Sequence, residues 1–348
     1  MAKEQRENNE LQNLKTALRE KRADRLYIFF GEETFLLHHY LNQLKKLLVD
    51  PITESFNYHK LTKENFDVRA LADAVESLPM MAEHTFVWVD DIDIFKLPED
   101  DRAKIGELLG DIGDYCTVVF TFETVTWKPD KRLKKLWDPI QANGRIVEFP
   151  KQEYRDLIAW VGRHFAANGK QIQPQLCSYL IDITGGTMTA LTGEIAKICA
   201  YSDSDTIVKE DIDAVTEPVI DAVAFQMTDL LAAGEYGKAL EKLDQLFKLQ
   251  HEPLAILGAM GVHFRRLSAA RTLMDNGKNA SDLAQLTGLR DYPARKTMES
   301  ARRFSARFCA AAAEMVLETD LQLKTSYDEP ERLLEMLIMR LAQEARNG

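Results

Sequence analysis

The sequence lacks any apolar run that reaches the roughly 18 residues a membrane-spanning helix needs, so no membrane partner is expected. Its first stretch, MAKEQRENNELQNLK, is charged and holds no apolar segment, which argues against a secretory signal. Cysteine is scarce. The four present are Cys116, Cys177, Cys199 and Cys309, and none forms a C-x-x-C pair. That spacing excludes a zinc ribbon and fits a reducing cytoplasm, the expected location. Basic residues are outnumbered, with 44 Lys and Arg against 55 Asp and Glu, a net charge of −11. Such a balance argues against a general coat for nucleic acid.

What is present is ordinary for a globular chain: 45% hydrophobic and 28% charged residues over 348 positions. This length accommodates two or three domains with sizeable cores. Charge is unevenly spread. Glu76 to Glu123 holds 12 acids against 3 bases, and His251 to Ala310 holds 10 bases against 5 acids. The block WKPDKRLKKLW, Trp127 to Trp137, carries five bases and one acid. These are either solvated helix faces or local basic surfaces that meet an anionic polymer.

The first 150 residues alternate helix and strand patterns. Asn9 to Arg22 reads as a helix with Leu11, Leu14 and Leu18 on one face, and Leu26 to Phe30 as a buried strand closed by Gly31. Glu33 to Val49 returns to helix and Pro51 ends it. Further strands are expected at Phe56 to Leu61, Phe86 to Val89, Thr117 to Phe122 and Arg145 to Phe149, with helices around Val68 to Leu78 and Lys104 to Leu109. This alternation predicts a mainly parallel sheet under helical cover. After Pro150 only helical patterns follow, including Tyr154 to Asn168, Gln175 to Thr184 before Gly185-Gly186, and Met188 to Tyr201. From about Val219 every segment reads as helix. Three domains are expected: α/β over 1–150, a small helical lid over 151–218, and a larger helical domain over 219–348.

An α/β domain with a helical lid suggests a phosphate-loop ATPase, whose first strand feeds G-x-x-x-x-G-K-[ST]. Here the strand feeds GEETFLLH. Counted from Gly31, the second glycine is Leu36, the lysine is Leu37 and the hydroxyl residue is His38. Glu32 and Glu33 would repel a triphosphate. The scaffold of a nucleotide site is there without its chemistry. Asp90-Asp91 resembles a metal-binding strand end, although acids commonly end strands. His38 and His39 are adjacent on a helix and do not easily share one metal. No Ser/His/Asp or Cys/His spacing supports nucleophilic catalysis. No catalytic residue, cofactor or metal is expected.

The junction SLPMMAEH, Ser77 to His84, places two methionines side by side between a helix and a strand. Neighbours on a helix point about 100° apart, so a helix lying on a core does not easily bury both. Pro79 disfavours helix at the residues before it and redirects the chain. Methionine fills irregular grooves. Met80 and Met81 either cap the sheet edge or leave the core to contact a partner.

Taken together, several stretches resemble one family. They are LYIFFGEETFLL, SLPMMAEHTFVWV, VVFTFE before KRLKK, GGTMTALTGEIAKI, HFRRL, and ETDLQLKTSYDEPERLLEML. In this order and spacing the chain resembles, over essentially its whole length, the delta subunit of the bacterial DNA polymerase III clamp loader. The resemblance implies an AAA+-like module that does not use ATP, followed by a helical collar. It also implies a non-catalytic subunit of a DNA-directed DNA polymerase (nucleotidyltransferase) holoenzyme. Implied partners are the ring-shaped sliding clamp (beta), the gamma/tau and delta-prime type subunits, and primer-template DNA within the assembly.

In that family an exposed hydrophobic pair at this junction enters a pocket on the clamp. The matching residues are Met80 and Met81, flanked by Leu78 and Pro79, in place of the Leu or aromatic often found there. Lys324 and Tyr327, placed between the last two helices, are candidates for DNA contact, Tyr327 by stacking on a base. A Tyr packed against the final helix is the alternative. Arg265, Arg266, Arg302 and Arg303 face either DNA or partner acids. Two other functions remain to be weighed. One is an active AAA+ clamp-loader ATPase. The other is a helix-turn-helix regulator built on Ser281 to Arg290, with Tyr292-Pro293 expected to interrupt its recognition helix.

Overall fold

The computed structural model describes residues 2–289 and 291–347. The chain divides into two compact units at Gln152–Glu153.

The first unit is built on five strands: β1 (Leu26–Phe30), β2 (Tyr58–Leu61), β3 (Thr85–Asp90), β4 (Cys116–Phe122) and β5 (Gly144–Glu148). They pair in the order β2-β3-β4-β1-β5, and every pairing is parallel. Strand residues alternate between two cores, as a period of two requires. Leu26, Ile28, Val87, Val89, Val118 and Phe120 face one core. Tyr27, Phe29, Phe86 and Val119 face the other. Apolar residues on both faces are the mark of a covered parallel sheet. The helices of this unit are α1 (Ala2–Arg19), α2 (Thr34–Leu48), the single turn α3 (Glu54–Asn57), α4 (Val68–Glu76), α5 (Glu99–Gly110) and α6 (Lys134–Asn143). Gly106 lets α5 and α6 approach closely, since a Cβ there would sit 2.1 Å from the Lys135 carbonyl oxygen. α1 and α2 cover the Tyr27 face through Leu11, Leu14, Leu37, Leu41 and Leu44. α4, α5 and α6 cover the other through Leu71, Ile105 and Ile140.

The second unit is all helical. It begins with α7 (Tyr154–Ala167), α8 (Pro174–Thr184), α9 (Met188–Tyr201) and α10 (Lys209–Val215). Gly185 ends α8 in the left-handed conformation, at φ 77°. Then follow α11 (Ile220–Ala232), α12 (Tyr236–Lys248), α13 (Pro253–Asp275), α14 (Ala280–Thr287), α15 (Asp291–Ala301), α16 (Ala306–Thr325) and α17 (Pro330–Asn347). Their shared core runs from Val223 to Ala342 around Phe264, Phe304 and Phe308. A parallel α/β unit followed by helices is the α/β plus all-α class expected.

Three local expectations need correction. Phe56 and Asn57 belong to the turn α3, and the strand starts only at Tyr58. Lys324 lies in the last turn of α16 and pairs with Asp320 at 2.7 Å, so it is not a loop residue. Tyr292-Pro293 does not interrupt a helix: α15 includes both, because proline is tolerated in a first turn, where no partner for its nitrogen is needed. Arg290 lies outside the described residues. α15 nonetheless does not offer a free reading face. Tyr292 stacks on Tyr154 of α7 at 3.7 Å, and Lys296 reaches Asp182 of α8 at 2.9 Å.

Candidate functional site

Where a nucleotide loop would lie, only Gly31, Glu32 and Glu33 separate β1 from α2. Gly31 has φ 135°, and a Cβ there would meet the Phe149 carbonyl oxygen at 2.2 Å. The Glu33 amide donates to that same oxygen at 3.0 Å. Leu37, in the lysine position, is fully buried under the sheet. His38 pairs with Glu123 at 2.8 Å and meets Trp88 edge-on. Leu36 packs partly buried on the same core.

The strand-end acids are committed as well. Asp90 pairs with Lys60 at 3.1 Å and accepts from the Thr121 hydroxyl. Asp91, at φ 59°, accepts from the amides of Glu123, Thr124 and Val125, from the Thr124 hydroxyl and from Lys63. Burial pushes its carboxyl up. The hydrogen bonds from Thr124, Val125, Glu123 and Lys63 outweigh that and hold it at about 2. Among the described residues no cluster of three or more His, Cys, Asp or Glu side chains is arranged to hold a metal.

The opposite end of the sheet, where β2 and β3 begin, carries the methionine junction. Asp67 caps the start of α4 by accepting from the Ala70 amide at 2.7 Å. The helix stops at Glu76, ahead of Pro79. The Thr85 hydroxyl donates to the Ser77 carbonyl at 3.3 Å and closes the base of the loop. Halfway round, the Asn57 side chain donates to the Met80 carbonyl at 2.9 Å and accepts from the Met80 amide at 2.7 Å. The next residue, Met81, adopts φ 53°, a conformation uncommon for a residue with a side chain. The outcome is outward projection. Leu78 is 70% exposed, Met80 55% and Met81 94%.

Two further apolar residues of this unit are exposed without a sequence pattern that signals it. Ile52 is 88% exposed, and Phe56 sits half-exposed on α3. The sequence pattern places Phe56 in a strand, and the short turn between Pro51 and Tyr58 hides its orientation. In the second unit, Tyr327 lies between α16 and α17 and is fully exposed, so it does not pack against the final helix. Arg303 is committed to Asp229 at 3.2 Å, whereas Arg265 and Arg302 are exposed.

Comparison with known proteins bears on the whole chain. One model, described as DNA polymerase III, delta subunit, matches residues 27–149. A second, for the C-terminal domain of the same subunit, matches residues 221–341. The chain belongs to the DNA polymerase III delta subunit family. This delta-family chain is 22% identical over 323 residues to DNA polymerase III subunit delta of Bacillus subtilis (strain 168), covering 91% of this chain and 92% of that protein. It is 20% identical over 284 residues to a probable DNA polymerase III subunit delta of Aquifex aeolicus (strain VF5), covering 80% and 79%. The solved Bacillus subtilis DNA clamp loader delta protein shares its fold, with a TM-score of 0.66 at 18% identity over 95% of this chain and 99% of that one. Delta-family membership sets aside the helix-turn-helix regulator. Among the described residues of this delta-family chain, no helix is long and apolar enough to cross a membrane.

Proposed function

We propose that this clamp-loader delta subunit grips the sliding clamp through Leu78, Met80 and Met81 and helps open the ring for loading onto primed DNA. The observation that carries the proposal is the projection of these three apolar side chains from a loop anchored at its base and at its middle. Single exposed apolar residues are common on surfaces, but three within four positions on a fixed loop form a compact anchor. Full burial of one such side chain is worth roughly 1.5–3 kcal/mol.

The subunit does not turn over ATP. Supporting this, the β1–α2 link is three residues long, and the lysine position is a buried leucine. ATP belongs to the motor subunits beside it, and the protein works in the cytoplasm. Residues 1–150 carry the clamp contact, 151–218 form the lid and 219–348 the collar. Exposed Leu317 and Leu321 on α16, with Met336 and Met339 on α17, suit the collar's packing against neighbouring gamma/tau and delta-prime type subunits. Tyr327 stacks on primer-template DNA in the assembly, with Lys324 near the phosphates.

The test is capture of the purified clamp by the full chain and by Met80→Ala/Met81→Ala. Capture is expected to be strongly weakened with the circular dichroism spectrum unchanged. Undiminished capture by the double variant would refute the assignment.

A further inference from the structure

We propose that Asn57 is a positioning residue for the clamp contact, holding Met80 and Met81 in their binding conformation. The inference rests on the proposed clamp reading of this loop. Asn57 is fully buried at the end of α3, and its side chain turns to the loop and satisfies both backbone groups of Met80. The two contacts fix the amide orientation, because only NH2 can donate to the Met80 carbonyl and only the side-chain oxygen can accept from its amide. A side chain that reads N–H and C=O of one residue acts as a short extra strand beside it. It therefore sets φ and ψ at Met80 and, through them, the left-handed turn at Met81.

Asn57 is also rigidly placed. It closes α3 and leads directly into β2, whose Tyr58 pairs with Phe86 of β3. The Lys45 ammonium ties α3 to α2, reaching Glu54 at 2.6 Å and lying over the Tyr58 ring at 3.9 Å. The methionine side chains are flexible, but the backbone carrying them is clamped to the edge of the sheet. A pre-set backbone spares the complex the cost of ordering the loop on binding.

The substitutions are Asn57→Ala and Asn57→Asp. The second keeps the shape and the acceptor but turns a carboxylate oxygen toward the Met80 carbonyl. Each is measured for clamp affinity by surface plasmon resonance, alone and combined with Met80→Ala/Met81→Ala. Hydrogen exchange at the Met80 amide is followed in parallel. Each variant is expected to bind about tenfold more weakly, with faster exchange at Met80 and an unchanged spectrum. In the double-methionine background Asn57→Ala should add nothing, because it acts through those residues. Wild-type affinity in Asn57→Ala, with the methionines still required, would overturn the positioning role, as would losses that simply multiply. Faster exchange at Met80 while both Asn57→Ala and the methionine variant bind normally would instead refute the clamp reading of the loop.

Discussion

Truncating the three loop residues one at a time should give a graded loss of clamp affinity that follows their exposure. Met81 is 94% exposed, so almost its whole side chain is available to a pocket. Burial returns roughly 1.5–3 kcal/mol, and ordering a methionine costs about 1 kcal/mol or more, leaving about 1–2 kcal/mol. Met81→Ala should thus weaken binding about 5- to 30-fold. Leu78, at 70%, has less area to offer but also fewer rotamers to lose, and should cost about 1 kcal/mol. Met80, at 55%, already spends nearly half of its surface on the subunit itself, so Met80→Ala should cost about half as much as Met81→Ala. Isothermal titration of each full-length variant with purified clamp measures the series. Thermal melting is the control: exposed positions change stability by less than about 0.5 kcal/mol, so Tm should stay within about 2 °C. Wild-type affinity in Met81→Ala, or losses that track falling Tm, would refute the reasoning.

Three further perturbations test the fold that holds the site. Gly31→Ala should destabilise the first unit by about 2 kcal/mol or more, seen as a lower urea midpoint, because the added Cβ collides with the Phe149 carbonyl at a φ that disfavours any side chain. Asp91 is held at about 2 against an ordinary 3.8, so its stabilisation is complete above pH 4 and lost as pH falls through 2. Asp91→Asn should remove that acid-limb dependence in denaturation curves taken between these pH values. His263 is buried against Phe225, and burial, aided by Arg266, lowers its imidazole to about 4 from 6.5. Between those values the unfolded chain binds a proton that the folded chain does not, so stability falls on acidification by up to about 1.4 kcal/mol per pH unit. His263→Phe should flatten the difference between melts at pH 7 and pH 5; an unchanged slope would show that another group titrates.

The sheet was legible because its strands are apolar on both faces and their alternation is not masked by loops. The departure from a phosphate-loop sequence was legible for a different reason: the residue in the lysine position is a property of one place in the chain, and it is Leu37. Less visible was anything set by a side chain folding back on a distant backbone. Asn57 looks like an unremarkable strand entrance, and its bond partner is 23 positions away. Phe56 misled because an aromatic before a strand pattern normally continues it, whereas Pro51 had already set up a turn. Pro293 misled in the opposite sense, since a proline breaks a helix interior but fits a helix start. The sequence poses the exposure of Met80 and Met81 as a question, and the left-handed turn at Met81 accompanies the answer.

The three-residue link after β1 also limits what this chain could become. Building a phosphate loop here would require inserted residues and an unwound first turn of α2, together with a lysine in place of Leu37. That lysine alone would place an unpaired charge in a dry core, a cost of several kcal/mol before any ligand could repay it. The packing around Leu37 therefore resists any single-residue change toward a phosphate loop, while the exposed methionine loop at the other end of the sheet carries no such constraint.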